Sequence, residues 1–302
     1  MEFGCGVERV RWQARRELLM TGNGKRLGWR VGLAAVCCGV AGVFSASAQG
    51  GDDGWPRPSV TLSLDAVNQY VWRGILYNQD PVLQPSATVS WFGFSANIWG
   101  SYDTTDYGAH EGGYGDSQWE FAEIDCTLSY SHTFDKAALD LPVSIGVTVG
   151  VIDCTYENTY WEELDTTEVF AGVSLPDLLL SPSVTVYRDT NQSDGLYVQG
   201  AVSHTISLLK NGDEDRLGLT LGATLGWGNR DNNEYYLGVD ESGFADAGVS
   251  ASLPWNIGGG VSLTPYIRYT DFVDHELRDA RDAVPNASSE MFVAGATLAW
   301  GF

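Results

Sequence analysis

The chain has 302 residues, 44% of them hydrophobic and only 19% charged, which excludes a disordered segment or a coiled coil. Seventeen basic residues face 39 acidic ones, a formal net charge of −22, so a phosphate backbone is excluded as a partner. The 36 Gly, 11 Trp and 14 Tyr suit strands and turns better than helices.

The first 48 residues read as an export signal. Val31 to Ala48 is uncharged, Lys25, Arg26 and Arg30 precede it, and Ala46-Ser47-Ala48 fits the small-residue cleavage pattern. Counted from Met1 this signal peptide is long; counted from Met20 it has the usual length, so Met20 is predicted as the true start. Residues 49–58 form a short tail and residues 59–302 the folded part. Export permits a disulfide between Cys126 and Cys154, but the strands predicted below put them on opposite faces of one hairpin, and poorly aimed Cβ vectors do not bridge.

From residue 59 the pattern alternates with period two. Twelve strands are predicted: 59–74, 81–91, 93–103, 117–134, 141–156, 166–176, 181–190, 194–209, 215–229, 243–254, 260–272 and 290–302. In the first, Val60, Leu62, Leu64, Ala66, Tyr70 and Trp72 alternate with Thr61, Ser63, Asp65, Gln69 and Arg73. In the last, Phe292, Ala294, Ala296, Leu298, Trp300 and Phe302 share one face. Long links, at 104–116, 157–165, 230–242 and 273–289, follow odd strands, and the short turns follow even ones.

That sorting is expected of an outer-membrane barrel and has no cause in a soluble sandwich. The fold predicted is therefore all-β: a single antiparallel transmembrane β-barrel of about 12 strands, exported to a bacterial outer membrane, apolar toward lipid and polar toward the lumen. Tyr70, Trp72, Trp91, Phe94, Tyr102, Tyr269, Phe272, Trp300 and Phe302 are predicted to supply the interfacial girdles. Trp300 and Phe302 form a C-terminal signature for membrane insertion, through which the barrel-assembly machinery would engage the last strand.

Tyr70-Val71-Trp72-Arg73-Gly74, Leu83-Gln84-Pro85-Ser86-Ala87, Gly93 to Ser101, Glu123-Ile124-Asp125 and Leu128-Ser129-Tyr130 together resemble the TorF-like family of bacterial outer-membrane porins. The likeness is best over 59–135, and the C-terminal Trp-Gly-Phe is in keeping with it. The resemblance implies an outer-membrane barrel and a channel for small solutes, with no settled substrate. The acidic loop 104–116 departs from the family pattern, so no loop-borne function carries over.

By parity Asp65, Arg73, Glu123, Asp125, Glu168, Gln199, Asp246 and Arg268 point into the lumen and are the candidate pore-lining residues. Five acids against two bases favour cations if a continuous pore exists. The alternative is a filled lumen in which Arg73 and Arg268 pair with Glu123, Asp125 or Glu168, giving a non-conducting structural or surface-display barrel. No cofactor or metal site is assigned; acidic residues in the links, such as Glu162, Glu163, Asp240 and Glu241, read as solvated loops. An outer-membrane hydrolase would need a catalytic constellation. His110 and His275 sit beside loop acids, but no His-x-Ser-Asn stretch occurs, and no catalytic residue is assigned. The predicted partners are membrane lipid, the assembly machinery and small solutes.

Overall fold

A computed structural model describes residues 57–106, 118–156, 165–283 and 289–302. The proposed signal peptide lies outside the described residues. Twelve strands close into one antiparallel barrel: β1 (Ser59–Val67), β2 (Val82–Trp91), β3 (Phe94–Asp103), β4 (Phe121–Phe134), β5 (Ile145–Tyr156), β6 (Thr166–Ser174), β7 (Ser183–Asp189), β8 (Leu196–Asn211), β9 (Glu214–Gly228), β10 (Gly243–Ser252), β11 (Val261–Phe272) and β12 (Met291–Gly301). Each pairs with its neighbours in sequence. The ring is sealed by β1 against β12, in a register running from Thr61 opposite Gly301 to Val67 opposite Gly295. Closure leaves no unpaired edge, which a bilayer requires of any sheet.

The four links predicted to be long fall at one end as predicted, although length does not sort every link: 190–195 at that end has six residues and 135–144 at the other has ten. One end of the barrel carries two-residue turns at Phe92-Gly93 and Gly212-Asp213 and compact links at 135–144, 175–182 and 253–260. Phe92 and Gly93 both have positive φ, the geometry of a turn whose twist matches the flanking strands. In link 175–182 the Asp177 carboxylate accepts from the Ser144 amide and hydroxyl and pairs with Lys136 at 3.2 Å; these donors hold its pKa below the ordinary aspartate value. The other end carries the long links. Two of them hold helices that the period-two reading missed, α1 (Arg230–Leu237) and α2 (His275–Asp282), each begun by an Asx cap, Asn229 and Asp274.

Alternation along each strand decides which residues face out. Every strand exposes a large aliphatic side chain, from Leu64 on β1 through Ile98, Val149, Ile206 and Val249 to Leu298 on β12. A continuous apolar belt around a closed barrel is far larger than any patch a soluble monomer leaves in water, and it defines the lipid-facing surface. Val149, in the middle of β5, is 53% exposed. Val149→Arg is expected to reduce the stability of the folded barrel in a bilayer by about 2–4 kcal/mol. A urea titration in lipid vesicles measures this, and an unchanged midpoint would mean that this face does not meet lipid.

The first predicted strand is too long. It ends at Val67, and Tyr70–Trp72 and Ile75–Asn78 form a separate two-stranded hairpin. Arg73 and Gly74 are its tip, with φ of 46° and 76°. Three girdle assignments fail with this. Tyr70 is 4% exposed and Trp72 packs against the hairpin cluster, while Phe272 is 1% exposed in an interior cluster. All three turn inward because their apolar partners are inside the barrel.

Candidate functional site: the barrel lumen

The lumen has two unlike halves. Toward the short turns its wall is Ser, Thr and Gly. Cross-strand hydroxyl pairs line it, Ser90 with Ser95 at 3.0 Å, Ser131 with Thr148 at 2.9 Å and Thr205 with Thr220 at 2.8 Å. Ser131, Ser203 and Thr205 are exposed, so solvent reaches this half. Toward the long links the lumen is filled by the hairpin 70–78, which folds in from the β1–β2 link.

The hairpin is seated at several points. Tyr70 and Val71 pack with Val67, Val82, Trp99, Met291 and Val293, inward residues of β1, β2, β3 and β12. Asn78 donates to Asp103 at 2.9 Å, and Arg268 on β11 donates to the Val71 carbonyl at 2.9 Å. The tip reaches across to the far wall. Arg73 forms a two-pronged bond to Glu168 on β6, both contacts 2.7 Å, with the side chains only 8% and 4% exposed. Its guanidinium lies 4.2 to 4.4 Å from the ring centres of Trp72, Tyr187 and Tyr197, a desolvated cation–π cage. Gly74 is required here, since an added Cβ would sit 2.8 Å from Asp246 Cβ, in a φ region that disfavours side chains.

The long-link helices close over the tip. Tyr236 on α1 meets Trp72 edge-on, and Leu277 on α2 joins Tyr197, Ala245 and Phe272 in one buried cluster. Arg281 donates to the Leu76 carbonyl.

The candidate residues fall into groups. Asp65 accepts from Tyr266 at 2.6 Å and Thr297 at 3.1 Å. Asp246 accepts from Tyr197 at 2.7 Å, and Gln199 hydrogen-bonds to the same tyrosine. Glu123 and Asp125 on β4 sit together with Cys154 on β5. Arg73 is brought to Glu168, from the hairpin tip rather than from β1 as the sequence reading had it. Arg268 meets a carbonyl rather than a carboxylate. The rings of Trp300 and Phe302 meet at a tilt, 4.7 Å between centres, on the outer face beside the seam, where Phe302 and Val60 exchange two backbone bonds of 2.9 Å.

Sequence reasoning missed the hairpin as a lumen element, the Tyr187–Tyr197 cage and the place of Cys154. Cys126 and Cys154 form no disulfide: the register pairs Asp125 with Cys154 and Cys126 with Asp153, so the thiols face opposite sides of the wall. His132 and His204 alternate out of the lumen, and His275 is exposed on α2, 3.4 Å from Asp279. His110 and most of the acidic links 104–116 and 157–165 lie outside the described residues.

A closed barrel with an apolar belt and a polar, partly plugged lumen is the architecture of the outer-membrane β-barrels. No family model matches the chain, and no curated protein matches it. Among solved structures it is similar to the NanC porin (11% identity, TM-score 0.46, covering 80% of this chain and 98% of that one). It is also similar to the KdgM porin (8%, 0.43, 81% and 99%) and to an outer membrane channel from Pseudomonas putida F1 (9%, 0.41, 81% and 95%).

Proposed function

We propose that the chain is an outer-membrane channel for passive diffusion of small hydrophilic solutes, of the kind its TorF-like resemblance implies. The observation that carries this is the hydroxyl-lined, solvent-accessible half of the lumen, whose other half is filled by a hairpin rather than closed by the wall. The short-turn end then faces the periplasm and the long links face outward. Cations are the preferred solutes, because Arg73 and Glu168 neutralise each other and Asp65, Glu123, Asp125 and Asp246 then outnumber the one remaining guanidinium, Arg268. Membrane lipid covers the belt, and the C-terminal strand with Trp300 and Phe302 is the element presented to the assembly machinery.

The tight packing of the hairpin favours a second reading, a non-conducting structural or surface-display barrel. Planar-bilayer conductance of residues 49–302, with a salt-gradient reversal potential, separates the two. Steady, small, cation-preferring conductance is expected. Anion preference would overturn the charge assignment, and a folded but silent barrel would leave the second reading.

A further inference from the structure

The wall behind the hairpin carries a compact set of ligating atoms. Glu123 and Asp125, two residues apart on β4, share its lumen face, and the register sets Asp125 directly opposite Cys154 on β5. One oxygen from each carboxyl and the Cys154 sulfur all lie within 4.8 Å of one another. The three residues are 5%, 0% and 6% exposed. Asp125 lies within reach of the Glu123 carboxyl and the Cys154 thiol, Tyr70 and Tyr156 hydrogen-bond to Glu123, and both Asp125 oxygens and Glu123 Oε2 accept no further hydrogen bond. Ser101 Oγ is buried without a partner on β3, where Ser101 is the ladder neighbour of Glu123. Burying two carboxylates side by side costs several kcal/mol unless a cation or protons compensate them.

We propose that Glu123, Asp125 and Cys154 hold one divalent transition-metal ion of the zinc type. The donor set selects it. Calcium and magnesium take oxygen alone, whereas a thiolate with carboxylates suits borderline-soft zinc. Around one tetrahedral zinc the ligand atoms stand roughly 3.3–3.8 Å apart, so small side-chain rotations complete the site. Ser101 or water supplies the fourth ligand. On binding, the Cys154 S–H bond breaks, its electron pair goes to the metal and its proton goes to solvent. The ion would stake β4 to β5 under the hairpin, where Tyr77 stacks on Tyr156 at 6.4 Å. The site does not depend on whether the lumen conducts.

The test uses the refolded full barrel, stripped with a chelator and titrated separately with Co²⁺ and Zn²⁺. Expected are one Co²⁺ per chain with a near-ultraviolet thiolate-to-cobalt band, displaced by Zn²⁺. Cys154→Ser should lose the band, and both it and Asp125→Asn should weaken zinc binding at least tenfold. Cys126→Ser, on the outer face, should keep both. Heat-modifiability on gels reports folding of each variant. No band in the folded wild type would overturn the site and leave the carboxyls holding protons. Zinc binding unchanged in folded Cys154→Ser and Asp125→Asn would overturn it too, by placing the metal elsewhere. Should Cys154→Ser fail to fold, the wild-type and Cys126→Ser titrations decide alone.

Discussion

Glu168→Ala is expected to unseat the hairpin while leaving the barrel closed. Arg73 and Glu168 are almost fully buried, and removing one partner of such a pair strands the other charge at a cost of about 3–5 kcal/mol. The aromatic cage around the guanidinium returns only about 0.5–2 kcal/mol of that. The strand ladders do not pass through this pair, so the variant should still run as a folded, heat-modifiable barrel. Amide exchange at residues 70–78 should rise by about two orders of magnitude, since each 1.4 kcal/mol is a factor of ten where exchange follows local opening. Arg73→Ala should do the same. The double variant should cost less than the two singles together, because it leaves no orphan charge. Unchanged protection in either single variant would mean that the hairpin is held by its apolar contacts alone. If the lumen conducts, conductance should rise in step with exchange.

Gly226→Val is the second large effect, and it acts through the wall. A Cβ at Gly226 would collide with the Tyr197 hydroxyl and with Asp246 Oδ1, two buried groups bonded to each other at 2.7 Å. The tyrosine ring cannot retreat, because the Arg73 guanidinium lies on its face. Overpacking costs about 1–3 kcal/mol, and breaking a buried hydrogen bond adds about 1–3 kcal/mol. A loss of about 2–5 kcal/mol in urea unfolding follows, although valine has the better strand propensity. Gly200→Val is the control. Its Cβ meets nothing closer than 3.8 Å, and it faces away from the lumen, so it should be near neutral. Equal effects at both positions would rule out the steric explanation.

Much of the barrel was legible because lipid and lumen impose opposite demands on alternate residues. The last strand shows this plainly: Phe292, Leu298 and Trp300 are exposed while Met291 and Val293 are buried, as their alternation required. The hairpin was not separable from β1 because it obeys the same pattern. Tyr70 and Trp72 continue the alternation of Leu62 and Leu64, yet they face packed side chains rather than lipid. Only Arg73-Gly74, a pair suited to a positive-φ turn, marked the reversal. The helices α1 and α2 were hidden for another reason. They are eight residues long and polar, with one buried apolar side chain on α2 and none on α1, too little for a 3.6-residue period to emerge. In the lumen, parity gave the direction of Glu123, Asp125 and Glu168 from local sequence. Which charge meets which depends on contacts nearly a hundred residues apart, as between Arg73 and Glu168, and alternation carries no such information.

The hairpin is continuous with β1 and β2 at both its ends, so it is a blocker carried by the vessel it stops. A free blocker that leaves its seat diffuses away and returns at a rate set by its bulk concentration. This one stays within a tether of fewer than fifteen residues, where short linkers give effective concentrations on the order of millimolar. Loops of about this length close in roughly 10–100 ns when flexible. Each unlatching is therefore answered by rapid reseating: reseating sets how briefly each release lasts, and how tightly the tip is held sets how often one occurs.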